Sequence, residues 1–203
     1  MSASAPYNDL SGAEHNGLAL SLHSSLLRKS LFFMEQTSKY QRSIDRLNDA
    51  LGKEISSTLQ YIYFHTIFED AGYEHLARLM RRISIAEMEH IEHIAERILF
   101  LNGKVDMNPS ERARQIDEPV EALYFAVKLE QSTIDHYNEY SRLCAAEDDS
   151  VTHKIFQEMA AEEEEHLDIF RTEWQNLLDY GAHYLALQSI ANSKHKSKGE
   201  KSE

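Results

Sequence analysis

Apolar residues recur at helical spacing along most of the chain. From Gln41, the positions Ile44, Leu47, Leu51, Ile55, Leu59, Ile62 and Phe68 step by three, four or six, the period of one buried helix face. This predicts a long first helix that stops near Gly72. Ile83, Met88, Ile91, Ile94, Ile98 and Leu101 form the stripe of a second, from about Tyr73 to Asn102, with Gly103 as its closing residue. Residues 104–117 contain Pro109 and Ser110 and have no strong period, so they read as a connection. Pro119 is a good first helical residue and opens a third helix to about Ala146. Asp148, Asp149 and Ser150 offer caps for a fourth, from Val151 to about Tyr180. Residues 182–191, past Gly181, read as a short fifth helix.

The two ends differ from this middle. Residues 1–40 read as an N-terminal extension. Met1 to Asn16 is small and polar and is expected to be poorly ordered, while 17–35 suits a short amphipathic helix with Leu22, Leu26 and Phe33 on one side. Residues 192–203 read as a disordered, Lys-rich tail. The folded unit is expected over 41–191.

Four helices of nearly 30 residues predict an all-α four-helix bundle. The linkers give its topology. Very short turns join helices one and two, and three and four, so each pair is an antiparallel hairpin. The second helix is about 40 Å long at 1.5 Å per residue. A 14-residue connection reaches about 45–50 Å when extended, enough to run the bundle's length and make helices two and three parallel. The bundle therefore has one long crossover.

Composition sharpens this picture. Gly 7 and Pro 3 are a small share of 203 residues, which argues against a sandwich, a barrel or any loop-rich fold. Cys144 is the one cysteine, so an internal disulfide, a Cys-based zinc site and a CxxC pair are excluded. A formal charge of −13 argues against a nucleic-acid partner and favours attraction of cations. No apolar run is long enough for a membrane span or a signal sequence, and a soluble, cytoplasmic protein is expected. With 11 histidines beside 34 acidic residues, metal ligation becomes a natural expectation.

The two hairpins repeat one pattern. Glu54 is followed by Glu87 and His90, and Glu130 is followed at the same spacings by Glu163 and His166. Residues i and i+3 project the same way from a helix, so a carboxylate and an imidazole can hold one ion together. One Glu from each of two helices and a Glu-x-x-His from each of the other two is the donor set of di-iron and di-manganese carboxylate bundles. Oxygen donors with one imidazole per ion suit Fe(II), Mn(II) and Fe(III). Four carboxylates leave two divalent ions nearly neutral, which permits burial. Tyr61 and Tyr137 follow Glu54 and Glu130 by seven residues and share their faces, where each hydroxyl can hydrogen-bond a ligating carboxylate. A lone Glu-x-x-His arises freely on charged helix faces; duplication at matched spacing is what carries weight. Glu162 also stands four before His166, and the symmetry with Glu87–His90 selects Glu163. His65, His75, His93 and His136 read as surface or interface residues.

Glu87-Met88-Glu89-His90 and Glu96 to Gly103 resemble the second helix of the bacterioferritin family. Glu163 to His166, then Asp168, Thr172 and Glu173, resemble its fourth, and Tyr184, Leu185 and Gln188 its short fifth, one residue shorter here. The resemblance covers about residues 41–191. It implies a ferritin-like fold and a hollow homo-oligomeric shell of twenty-four chains rather than twelve. It implies a ferroxidase that oxidises Fe(II) with O2 or H2O2 and stores ferric mineral inside, with a ferredoxin-type electron donor for iron release. Glu54, Glu87, His90, Glu130, Glu163 and His166 are by this resemblance the catalytic ligands of two iron ions per chain, with Glu87 and Glu130 placed as ligands or bridges. Family members also bind haem b between paired chains through a methionine, here Met88; an ordinary interface methionine is the alternative. A histidine and a carboxylate that line the inner surface in some members stand here as Arg82 and Ala86.

A di-iron peroxidase is the competing reading. A rubrerythrin-like protein would use the same bundle, but its extra Glu in the third helix is Thr133 here and its Cys-rich domain has no counterpart. A Dps-like shell takes its ligands from two chains, which six donors in one chain do not match. A purely structural bundle has no reason to aim four carboxylates and two imidazoles at one point.

Overall fold

The computed structural model describes residues 11–188 and 190, with side chains from 27–31 and from Lys39 onward. The Lys-rich tail expected over 192–203 lies outside the described residues. Four long helices account for the fold: α1 Ser11–Asp70, α2 Glu74–Phe100, α3 Pro119–Ala146 and α4 Ser150–Tyr180. Residues 182–188 add a short helix after Gly181. No described helix is long and apolar enough to cross a membrane.

α1 passes through the expected boundary at Gln41. It is one helix of 60 residues that runs through that position without a break. No proline interrupts it, and its N-terminal glycines, Gly12 and Gly17, stand in its first two turns. The segment from Ser11 to Asn16, expected to be poorly ordered, is its first turns.

Each hairpin turn is closed by a left-handed residue. Gly72 adopts φ 78 after α1 and Asp148 φ 59 after α3. After α2 the residue with positive φ is Asn102, at 60, and not the expected Gly103. Gly103 is required for a different reason. A Cβ there would lie 2.7 Å from the Ile44 side chain, so only glycine lets the chain leave α2 this close to α1. Asp149 caps α4, accepting from the Thr152 N–H, and α3 starts on Pro119 as expected.

The crossover from Leu101 to Glu118 runs beside α1 in the same direction. Lys104 C=O accepts from Asn48, Ser110 N–H donates to Gly52 C=O at 2.9 Å, and Arg114 exchanges two bonds with Gln60. Tyr63 then meets Asp117. This path carries the chain the length of the bundle and sets α3 parallel to α2. Gly52 makes it fit, because a Cβ there would stand 3.2 Å from Asn108 C=O and closer still to Ser110 Oγ.

α1 packs chiefly on α2 and α3 on α4. The apolar core lies in two blocks. Tyr61, Phe64, Phe68, Met80, Ile83 and Phe170 anchor one; Leu47, Leu51, Ile94, Ile98, Tyr137 and Phe156 anchor the other. Each fully buried large apolar side chain contributes roughly 1.5–3 kcal/mol. Between the blocks lies a polar layer. Buried Arg97 spans the two hairpins beyond it, donating to Asp149 Oδ1 at 2.7 Å and to Thr152 Oγ1 at 2.9 Å.

Candidate metal centre

The polar layer consists of Glu54 from α1, Glu87 and His90 from α2, Glu130 from α3, and Glu163 and His166 from α4, all buried. The apolar stripes that fill the two core blocks continue through these six positions, which is why helices with ordinary amphipathic packing carry charge to the centre. The structure thus brings together all six residues singled out from spacing.

They form two overlapping sets of donor atoms. One is Glu54, Glu87, His90 and Glu163; the other is Glu87, Glu130, Glu163 and His166; within each, the donor atoms lie within 4.8 Å of one another. Glu87 and Glu163 belong to both. Glu87 turns Oε2 to His90 Nδ1 at 3.1 Å and Oε1 to His166 Nδ1 at 3.4 Å. Glu163 turns Oε1 to His90 Nδ1 at 3.1 Å and Oε2 to His166 Nδ1 at 2.9 Å. Glu130, which the resemblance places as a ligand or bridge, stands in one set only, and Glu163 stands in both. Both shared carboxylates come from the Glu-x-x-His helices, α2 and α4.

This donor set fits a pair of hard cations. Both oxygens of Glu54, and Oε1 of Glu87 and of Glu163, are buried without a well-aligned hydrogen bond and have at most an ion-pair contact with an imidazole. Buried oxygens left like this cost about 1–3 kcal/mol each or more when charged, unless a cation answers them. The same burial shifts the balance of several of these groups toward the protonated form. Burial, then the neighbouring Glu87 and Glu163, push the Glu54 carboxyl well above the usual carboxylate range. Burial and the same crowding, from Glu163 and Glu87, push Glu130 the same way. For His166, burial opposes charge, but hydrogen bonds to Glu163 and Glu87 outweigh it and raise the imidazole to about 9. His90 is raised further by Glu163, Glu54 and Glu87, again against burial. The two imidazoliums hold Glu87 down to about 2 despite its burial.

The tyrosines diverge. Tyr61 OH donates to Glu130 of the opposite hairpin, and not to Glu54, from whose helix it projects. Tyr137 OH is buried and has no partner, so the expected bond to a ligating carboxylate is not formed. Spacing places a tyrosine on a helix face but does not say which neighbour its hydroxyl reaches.

Glu162 was separated from Glu163 by symmetry alone in the sequence. The structure puts it 59% exposed, with Oε2 at 2.9 Å from His90 Nε2, not on His166. Met88 is 42% exposed on α2, beside buried Glu87. His75 is more than a surface residue: it meets Glu173 at 3.0 Å, and Tyr184 of the short helix donates to the same carboxylate at 2.7 Å.

Comparison with known proteins agrees with this geometry. A family model described as a ferritin-like domain matches residues 44–178. The bacterioferritin of Brucella melitensis is 33% identical over 138 residues, 68% of this chain and 86% of that protein. That of Desulfovibrio desulfuricans is 31% identical over 144 residues, 70% of this chain and 80% of that protein. Among solved structures, the Desulfovibrio desulfuricans bacterioferritin, with its diiron site in different catalytic states, superposes with a TM-score of 0.74 at 27% identity, over 75% of this chain and 90% of that one. The Rhodobacter capsulatus bacterioferritin, with a metal-free dinuclear site and a haem iron in a crystallographic special position, gives 0.70 at 31% identity, over 73% and 93%.

Proposed function

The chain belongs to the ferritin-like family, among the bacterioferritins, and from that premise we propose that it is a ferroxidase and iron store. The observation that carries this reading is the sharing of Glu87 and Glu163 between two donor sets in one chain. Two Fe(II) ions are its substrates. Glu54 and His90 hold one, Glu130 and His166 the other, and Glu87 and Glu163 lie between them. The buried layer excludes bulk water and keeps the ions close enough for one oxidant to draw on both. Each Fe(II) gives up one electron; dioxygen takes both with two protons to give hydrogen peroxide, or peroxide takes both with two protons to give two waters. Tyr61 fixes the orientation of Glu130 by its hydrogen bond. The protons that occupy the empty site leave as Fe(II) enters.

The ferric product then passes to a mineral core inside a shell of twenty-four copies, from which a ferredoxin-type donor releases it by reduction. We assign Met88 to haem b shared between paired copies, because it is part-exposed on α2 and a thioether is a known axial haem ligand. The cytoplasm, a reducing compartment, suits the single buried Cys144.

The test is the number of Fe(II) ions that each metal-free chain oxidises and keeps soluble, titrated with oxidant in excess. Uptake far past two per chain is expected. Uptake that stops at about two would leave a di-iron redox enzyme without storage and favour the peroxidase reading. Haem is tested separately by hemin titration of Met88→Leu, which should lose the wild-type absorbance bands.

A further inference from the structure

The six donors repeat at one offset: Glu130 follows Glu54 by 76 residues, as Glu163 follows Glu87 and His166 follows His90. By the same offset, position 162 corresponds to position 86. The support around the donors does not obey this symmetry. Glu162 reaches from α4 to α2 and places Oε2 at 2.9 Å from His90 Nε2. Its counterpart is Ala86, which has nothing to offer, and among the described residues no acceptor meets Nε2 of His166.

The difference matters because of what an imidazole must do to bind a cation. A neutral ring carries one N–H and one lone pair. In both histidines Nδ1 faces the carboxylates, so the lone pair must sit on Nδ1 and the proton on Nε2. A carboxylate against Nε2 holds the proton there, fixes the ring plane and raises the basicity of Nδ1. His90 has this partner and His166 lacks it.

We propose that Glu162 is a positioning residue that ranks the two cation positions, so that the Glu54–His90 half fills before the Glu130–His166 half. The inference rests on the metal-centre reading above and adds an order of filling to it. Glu162 is 59% exposed, so its ion pair adds little to folding stability. Its removal therefore acts on cation affinity without a matching loss of stability, which separates positioning from a structural role.

The experiment is anaerobic titration of the full-length, metal-free protein with Co(II), followed by d–d absorbance and calorimetry. Wild type should bind two ions per chain in two resolved steps. Glu162→Ala should weaken the first step by about tenfold, the usual cost of losing such a partner, and merge it with the second. Glu162→Gln retains an acceptor oxygen and should restore most of the difference. Ala86→Glu supplies the missing partner and should tighten the second step. Two equal steps in wild type, or a Glu162→Ala titration that overlays wild type, would overturn the proposal while leaving the metal centre intact. Failure of wild type to bind a pair of ions would overturn the metal centre, and this proposal with it.

Discussion

Glu87 and Glu163 each divide their two oxygens between the same two imidazoles, His90 and His166. This arrangement distinguishes shared donors from terminal ones, and the distinction has measurable consequences.

Removing a shared carboxylate should damage both cation positions; removing a terminal one should damage a single position. Glu163→Ala is expected to abolish binding of both Zn(II) ions by the metal-free protein, whereas Glu54→Ala or Glu130→Ala should leave one. All three should slow Fe(II) oxidation by about 100-fold or more, since even loss of an outer partner costs 10–100-fold. Stopped-flow oxidation and zinc stoichiometry check both points, with assembly unchanged by light scattering. Rapid oxidation by Glu130→Ala would mean that the site is elsewhere.

Cation binding should release protons. Burial and crowding raise Glu54 and Glu130, and the surrounding carboxylates raise His90 and His166, so all four hold protons more tightly in the metal-free layer than in water. Zn(II) titration in a weakly buffered indicator solution should therefore acidify the medium, and affinity should rise with pH. The stability of the metal-free protein should run the other way. A raised imidazole such as His166 stabilises the fold fully below its ordinary value near 6.5, and that contribution is lost as pH rises through about 9. The melting temperature of metal-free protein should fall across that interval, and that of loaded protein should not.

The two tyrosines should respond unequally. Tyr61→Phe removes the donor to Glu130 and leaves a buried oxygen unanswered, at about 1–3 kcal/mol. Tyr137→Phe removes a hydroxyl that has no partner, and should cost less than about 0.5 kcal/mol or stabilise slightly. Thermal melting of the metal-free variants tests the contrast; equal losses would contradict it.

Gly52 should be intolerant of bulk. Gly52→Leu forces a side chain into Ser110 and the Asn108 carbonyl, so the crossover must lift from α1. Limited trypsin digestion should then cut at Arg112 and Arg114 at least tenfold faster, with helical circular dichroism unchanged. Wild-type cleavage rates would show that the crossover has another anchor.

Sequence carried the centre of this molecule because buried helix faces are periodic and the donors are duplicated at one spacing. Glu54, Glu87, His90, Glu130, Glu163 and His166 were all visible in that way, and α3 had Pro119 to mark its start. What escaped depends on neighbours. Asn102, not Gly103, takes the left-handed position after α2, and Gly103 instead permits the approach of Ile44. The continuity of α1 past Gln41 depends on the absence of a breaker, which leaves no periodic mark of its own. Tyr61 crosses to the other hairpin, and Glu162 reaches a histidine on another helix, neither of which a single-helix pattern encodes.

The division of donors also bears on how the two halves of the chain are held together. The first hairpin supplies Glu54, Glu87 and His90, and takes Glu163 from the second; the second supplies Glu130, Glu163 and His166, and takes Glu87 from the first. Each ion held by such a set would thus be tied to both hairpins. A filled centre is a pair of reversible cross-links across the seam between two antiparallel modules. Loading would latch the bundle and emptying unlatch it, so amide exchange along that seam is expected to report the occupancy of the site from a distance.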